Sequence, residues 1–361
     1  MRPKFHTLKI SDVRRETLDC VSVAFEVPAE LQENYKFQQG QYLTLRETIG
    51  GEDIRRSYSI CSGIHDNELR VAIKKVDGGT FSSWANENLI VGQVMQVMTP
   101  MGHFTSELSE TNAKNYLLVA AGSGITPVMS IAKSVLKSEP KSTVTLIYGN
   151  RWFNTIIFRD ELEDMKDRYL GKFRVFHVLS GEPNDIQLFY GRIDAEKCDG
   201  FGKHFIDMEN INEVFVCGPE PMIRAVSEHM KTVGLPAENI HFELFASPGQ
   251  ISTAEKKVEP AKTAATDEVS NVSVVFDGQQ LDFVMPMNGM SILDAAQRHG
   301  MDIPFSCKGG MCCTCRAKLE EGEAPMDVNY ALEPGEVENG FILTCQAKPK
   351  SKRVVVNFDV H

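Results

Sequence analysis

The sequence predicts a multidomain α+β protein: an antiparallel barrel, a doubly wound parallel α/β domain and a small C-terminal module, in that order. Three observations carry this reading. Over residues 5–105 apolar side chains alternate with a period of two, interrupted by turn residues. From residue 115 short continuous apolar runs alternate with helical patterns, the rhythm of a parallel sheet covered by helices. Near Ser247 the composition changes, and a compact set of strands resumes at residue 269. The expected boundaries are 1–110, 111–246 and 269–361, with a linker over 247–268.

In the first module the alternating runs are LKISDV, VSVAFEV, QYLTL, LRVAIKKV and QVMQVM. Successive side chains of a strand point to opposite faces, so such runs suit a barrel with one face buried. In the second, YLLVAAG reads as a buried strand, GSGITP as a turn and VMSIAKSVLK as a helix. TVTLIYGN, FRVFHVL and VFVCG repeat the strand signal. The stretch SPGQISTAEKKVEPAKTAATDE has almost no large apolar residue and cannot build a core. As a flexible coil of about 22 residues it would hold its ends on the order of 25 Å apart. Beyond it lie strands VSVVF, LDFVM and VVVNF and the helix SILDAAQRHG. Ser291 and Asp294 form a capping-box pattern at its start, and Gly300 is a natural stop.

Four cysteines in the last module carry the most specific chemistry. Cys307, Cys312 and Cys315 read C-x4-C-x2-C within SCKGGMCCTC, and Cys345 follows a long gap in TCQA. Plant-type ferredoxins hold a [2Fe–2S] cluster through thiolates at this spacing. Gly309 and Gly310 let the backbone curl and aim N–H groups at sulfur. Zinc is the plainer alternative, but it usually takes two short Cys pairs, and a single C-x-x-C is available to the four. Cys313 does not fit the spacing and is expected to be a bystander.

The chain has nine cysteines, a hydrophobic fraction of 42% and a formal charge of −11. The five cysteines outside the cluster motif are scattered, which favours a reducing compartment. The start MRPKFHTLKI lacks the apolar segment of a secretory signal, and no stretch reaches membrane-span length. A cytoplasmic enzyme with neither membrane nor nucleic acid as a partner is expected.

The first two modules carry nucleotide motifs. Arg56, Tyr58 and Ser59 read R-x-Y-S; Gly79, Thr80, Phe81 and Ser82 open a helical pattern; P-M-G-H-F follows at Pro100–Phe104. Gly122 and Gly124 with Thr126 and Pro127 read G-x-G-x-x-P between a strand and a helix, where backbone can approach a pyrophosphate. Cys217, Gly218 and Pro219 close another strand, and Glu243-Leu244-Phe245 ends the module. No acid follows TVTLIYGN to grip a ribose 2′-hydroxyl. Arg151 stands there instead, suited to the 2′-phosphate of NADPH or simply solvated, with Arg159 nearby.

Taken together these motifs resemble the ferredoxin–NADP reductase superfamily along essentially the whole chain. The resemblance implies a six-stranded FAD-binding barrel, an NADP-binding domain and a β-grasp ferredoxin domain. It implies that Arg56 pairs with the flavin pyrophosphate, Tyr58 covers the isoalloxazine, and Ser59 lies near its reacting nitrogen. Gly79–Ser82 become a second phosphate turn, Cys217 adjoins the nicotinamide, and Glu243 sits near the reacting centre. Ser59, Cys217 and Glu243 are thus the expected catalytic residues, and Cys307, Cys312, Cys315 and Cys345 the metal ligands.

The implied flow runs from NADPH (NADH less favoured) to FAD, to [2Fe–2S], and on to the oxygenase component of a multicomponent monooxygenase. The wording RRSYSI, GGTFS, LIYGNR, FVCGP and LEPGEVENGFILTCQA is most similar to the reductase subunits of phenylacetyl-CoA epoxidases, di-iron enzymes of phenylacetate catabolism. Cys313 departs from the small residue usual there. Reductases of Rieske or other non-haem oxygenases and of hybrid-cluster proteins share the architecture. A [2Fe–2S] redox sensor is the reading from another class, and the intact nucleotide motifs argue against it.

Overall fold

A computed structural model describes residues 3–245, 268–287 and 289–360. The chain divides into two compact units, Lys4–Ala246 and Ser247–His361. Apart from Glu268, the expected linker lies outside the described residues.

The larger unit begins with a six-stranded antiparallel sheet. Its strands are β1 (Phe5–Thr17), β2 (Cys20–Glu26), β3 (Tyr42–Ile49), β4 (Glu52–Ser59), β5 (Leu69–Lys74) and β6 (Val94–Met98), in the spatial order β4-β3-β6-β1-β2-β5. Helix α1 (Thr80–Asn88) lies between the last two in sequence. The edges β4 and β5 meet at a single bridge, Ile60 to Val71, so the barrel only just closes. Leu8, Leu43, Leu45, Val71, Ile73, Phe81 and Val97 fill its interior. The β3–β4 hairpin turns on Gly50 and Gly51, at φ 62° and 86°. Both central positions of this two-residue turn lie in the left-handed region, which glycine enters without penalty.

A five-stranded parallel sheet follows: β7 (Asn115–Ala121), β8 (Thr143–Asn150), β9 (Phe173–Leu179), β10 (Glu213–Gly218) and β11 (Ile240–Leu244). Their order is β11-β10-β7-β8-β9, with the sequence reversing direction between β7 and β10. Such a switch point opens a crevice at the carboxyl ends of the strands, where ligands bind in this architecture. Helices α2 (Ile125–Ser138), α3 (Arg159–Arg168), α4 (Ala195–His204) and α5 (Glu220–Thr232) cover the sheet. Helix α2 is also the seam with the barrel. Cys20, Cys61, Ala72 and Phe104 share an apolar cluster with its Ile125, Val128, Met129 and Ile131. Polar contacts fix the register: Ser130 donates to the Ser62 carbonyl at 2.7 Å, and Lys133, also paired with Glu161 of α3 at 2.5 Å, meets Asp66 at 3.4 Å.

The smaller unit is a five-stranded mixed sheet. It contains β12 (Val269–Phe276), β13 (Gln279–Pro286), β14 (Arg316–Glu321), β15 (Phe341–Leu343) and β16 (Arg353–Asn357), in the order β13-β12-β16-β14-β15. Helix α6 (Ile292–Arg298) buries Ile292, Leu293, Ala295 and Ala296, and a short α7 (Pro334–Glu338) precedes β15. As the capping pattern predicts, Ser291 Oγ accepts from the Asp294 N–H at 3.1 Å, and Gly300 at φ 87° follows the helix end. No helix among the described residues is long and apolar enough to cross a membrane.

Candidate flavin, nucleotide and iron–sulfur sites

Strand β4 separates two neighbouring arginines by its alternation. Arg55 is buried at 3% exposure, pairs with Asp53 at 3.0 Å and lies 5.2 Å from the Phe5 ring centroid. Arg56 faces the other way, exposed, its guanidinium donating to the Arg55 carbonyl at 2.7 Å. An exposed, positioned guanidinium suits a phosphate. Tyr58, two residues on, shares the face of Arg56 and is half-buried, 5.7 Å from the Phe81 ring. Phe81 itself is 1% exposed, so its side chain backs Tyr58 and offers no surface of its own.

Helix α1 presents its N-terminus beside this strand. A Cβ at Gly79 would fall 2.6 Å from Ser82 Oγ and 3.0 Å from the Val76 carbonyl, which explains the glycine. Ser82 is buried, and its hydroxyl accepts from the Val76 N–H at 3.1 Å. Its side chain therefore builds the turn, while Thr80 remains exposed. The first turn carries no acid and no side-chain cap, leaving the positive end of the helix for an anion.

The glycine turn expected to meet the nicotinamide nucleotide spans Gly122–Gly124, between β7 and α2. The two glycines do different work. Gly122 sits at φ 54° with nothing near its missing Cβ, so backbone faces open space. A Cβ at Gly124 would fall 2.2 Å from the Cys217 carbonyl, so this glycine serves the approach of α2 to β10. Thr126 is likewise buried, its hydroxyl donating to the Ser123 carbonyl at 3.1 Å, and it shapes the turn from within. Pro127 occupies the first turn of α2, where its missing N–H is no loss. Tyr148, which the sequence does not single out, donates to the Gly122 carbonyl at 3.0 Å and props the turn from β8. Arg151 follows the carboxyl end of β8, exposed, 5.5 Å from the Trp152 ring, whereas Arg159 is paired with Asp160 at 3.1 Å.

At the carboxyl end of the sheet the three expected catalytic residues converge. Cys217 is paired in register with Ala120 of β7 and with Glu243 of β11. Gly218 ends the strand and Pro219 caps α5. Ser59, arriving from the barrel, donates to Glu243 Oε2 at 3.3 Å across 184 residues of sequence. Burial pushes the Glu243 carboxyl up to about 7, against the lowering pull of the Ser59 hydrogen bond. Cys217 has no exposed surface, and burial, with the Glu243 charge, keeps its thiol protonated. Its side chain thus lies in the wall of the crevice.

In the smaller unit the four motif cysteines fall into two pairs. Cys312 Sγ lies 3.2 Å from Cys307 Sγ, and Cys315 hydrogen-bonds Cys345. Among the described residues no three metal-binding side chains converge on one point. Two-plus-two thiols suit a two-iron cluster, in which each iron takes two, better than a single tetrahedral zinc. The surrounding donors fit as well. The Cys312 thiol, then the N–H groups of Gly309, Met311 and Cys312, draw the Cys307 thiol down to about 6. A hydrogen bond from Cys315 likewise lowers Cys345. Cys313 turns away, its thiol donating to the Ala331 carbonyl at 3.2 Å.

Three sequence families match in the same order: an oxidoreductase FAD-binding domain over residues 7–106, an oxidoreductase NAD-binding domain over 118–228 and a 2Fe-2S iron-sulfur cluster binding domain over 274–350. A component of the 1,2-phenylacetyl-CoA epoxidase of Escherichia coli K12 is 41% identical over 355 residues, spanning 98% of each chain. The chain belongs to the family of FAD- and [2Fe–2S]-containing oxygenase reductases. Another relative, the ferredoxin reductase component of a Rhodococcus rhodochrous 3-ketosteroid-9-alpha-monooxygenase, is 32% identical over 97% of this chain and 96% of its own. Phthalate dioxygenase reductase shares the fold over 98% of both chains, with a TM-score of 0.57 at 23% identity.

Within this reductase the residues of the flavin and nucleotide motifs divide by exposure. Arg56 and Thr80 are exposed, Tyr58 is half-buried and Gly122 faces open space. Phe81, Ser82, Gly124, Thr126 and Cys217 lie behind them as supports. The family match covers FAD, a nicotinamide nucleotide and [2Fe–2S] as cofactors.

Proposed function

We propose that the chain passes electrons from NADPH, in preference to NADH, through FAD and [2Fe–2S] to the oxygenase component of a phenylacetyl-CoA epoxidase. The observation that carries the reductase chemistry is the meeting of Ser59 from the barrel with Glu243 beside Cys217, at the switch point of the parallel sheet. Two cofactors that must react across a domain seam need a rigid seam, and the α2 contacts supply one. The acceptor is inferred from full-length similarity to the Escherichia coli protein.

In this reading Arg56 and the α1 N-terminus bind the flavin phosphates, and Tyr58 covers the ring. Gly122 and the start of α2 receive the nicotinamide nucleotide pyrophosphate, and Arg151 binds its 2′-phosphate. Glu243 and Ser59 keep a hydrogen-bonded carboxyl, half-protonated near neutral pH, at the reacting edge. Cys217, Gly218 and Pro219 close that edge against water. Bound FAD converts two-electron nicotinamide chemistry to one-electron transfer, and the cluster passes electrons singly. Cys307, Cys312, Cys315 and Cys345 hold that cluster.

The test is reconstitution. Mixed with a purified di-iron phenylacetyl-CoA oxygenase component, the reductase is expected to support NADPH-dependent epoxidation of phenylacetyl-CoA. Support of a Rieske oxygenase but not of the di-iron enzyme would overturn the acceptor assignment and leave the reductase intact.

A further inference from the structure

We propose that Gln346 is a positioning residue of the iron–sulfur centre, clamping the loop of the first ligand while donating a hydrogen bond to the sulfur of the last, and so raising the reduction potential. The inference rests on the assignment of Cys307, Cys312, Cys315 and Cys345 as ligands.

Gln346 Nε2 donates to the Lys308 carbonyl at 2.9 Å and approaches Cys345 Sγ at 3.6 Å. A carboxamide carries two N–H donors, so one group can make both bonds at once. The amide, 38 positions from Lys308 in sequence, therefore ties residue 308, next to the first ligand, to residue 345, the last.

The loop it ties needs holding. Lys308 adopts φ 51°, a left-handed conformation that side chains other than glycine seldom enter. Its ammonium is held from the other side by Asp294 and by Gln297 Oε1, each at 2.8 Å. Side chain and carbonyl together thus fix the conformation that starts the cysteine loop. Gln346 is itself anchored: its N–H donates to the Leu343 carbonyl at 2.9 Å, and its carbonyl accepts from Asp327 N–H at 3.0 Å. A side chain on so fixed a backbone has little freedom to swing away.

The electrostatic consequence follows from charge. Adding an electron makes the sulfurs more negative, so a donor aimed at one stabilises the reduced state more than the oxidised one. The Gly309 N–H to Cys307, at 3.3 Å, belongs to the backbone and survives any substitution. The Gln346 amide can be removed, which makes its contribution measurable.

The experiment uses the full-length holoprotein and an EPR-monitored redox titration, with iron analysis of each sample. Gln346→Met keeps side-chain length and removes both donors; its midpoint potential is expected to shift negative. Lys308→Arg keeps the positive charge beside the first ligand and leaves the Gln346 donor in place, so its potential should stay at the wild-type value. The double variant should retain the negative shift, because a change at residue 308 cannot restore a donor. A fully loaded Gln346→Met protein titrating at the wild-type potential would overturn the proposal. Wild-type protein with glutamine amides labelled with ¹⁵N guards against a variant that fails to load. Hyperfine coupling of one such nitrogen to the reduced cluster is expected, and its absence refutes the hydrogen bond. If wild-type protein instead lacks a two-iron signal, the ligand assignment fails, which is a distinct result.

Discussion

Glu243 shows how far a single residue is readable from sequence. A glutamate near the end of a domain is chemically unremarkable until the fold brings Ser59 to it across 184 residues. Its raised pKa gives a signed prediction. The folded carboxyl titrates near 7, above its ordinary value of 4.5, so folding binds a proton between those limits and stability falls as pH rises through them. Glu243→Gln mimics the neutral acid and escapes that fall. The variant should match wild type near pH 5 and exceed it above pH 7 by on the order of 2–3 kcal/mol, as read by urea melts at the two pH values. Equal gains at both would mean that the carboxyl does not titrate in this range. Arg151 belongs to the same scale. Its exchange for Ala removes a charge-assisted contact of about 1.5–3 kcal/mol, weakening NADPH binding roughly 10- to 150-fold and NADH binding hardly at all. Equal losses for both nucleotides would make Arg151 structural.

At the scale of elements, legibility followed local chemistry. Helix α6 declares its start through Ser291 and its stop through Gly300, and both act as read. Strand β4 is harder, because EDIRRSYS alternates charge with a few apolar residues, and its pairing with β3 is visible only through the double-glycine turn. Strand β11 is short and half-exposed, and nothing in IHFEL distinguishes it from a helix end. The division of labour between Gly122 and Gly124 was hidden for another reason. It depends on where β10 passes, and β10 lies nearly a hundred residues on. The α6 cap offers a test at this level. Ser291→Ala should cost the smaller unit about 1 kcal/mol, because the hydroxyl satisfies a helix N–H that then goes unpaired. The two preceding N–H groups, of Ile292 and Leu293, bond to the Ala347 and Thr344 carbonyls on either side of Cys345. Denaturation followed by bleaching of the cluster should move to lower urea, while release of flavin should not. Coincident movement of both transitions would show that the units do not melt independently.

For the whole molecule, the order of modules was the clearest message of the sequence. Period-two alternation, strand–helix alternation and cysteine spacing are short-range signals, and each survives without knowledge of the tertiary fold. The seam between barrel and nucleotide domain was invisible, since Ser62 with Ser130, or Lys133 with Asp66, are ordinary residues until packed. That seam merges two sequence modules into one compact unit. On the proposed route electrons enter in this unit and leave through the four paired cysteines. Steady-state assays with NADPH on Cys345→Ser and Cys313→Ser test that route most directly, using ferricyanide as an acceptor served by flavin alone and cytochrome c as the acceptor served by the cluster. Cys345→Ser should keep ferricyanide reduction and lose cytochrome c reduction, while Cys313→Ser should keep both. Undiminished cytochrome c reduction by a Cys345→Ser protein that has lost its cluster would contradict the route, because electrons would then leave by another path.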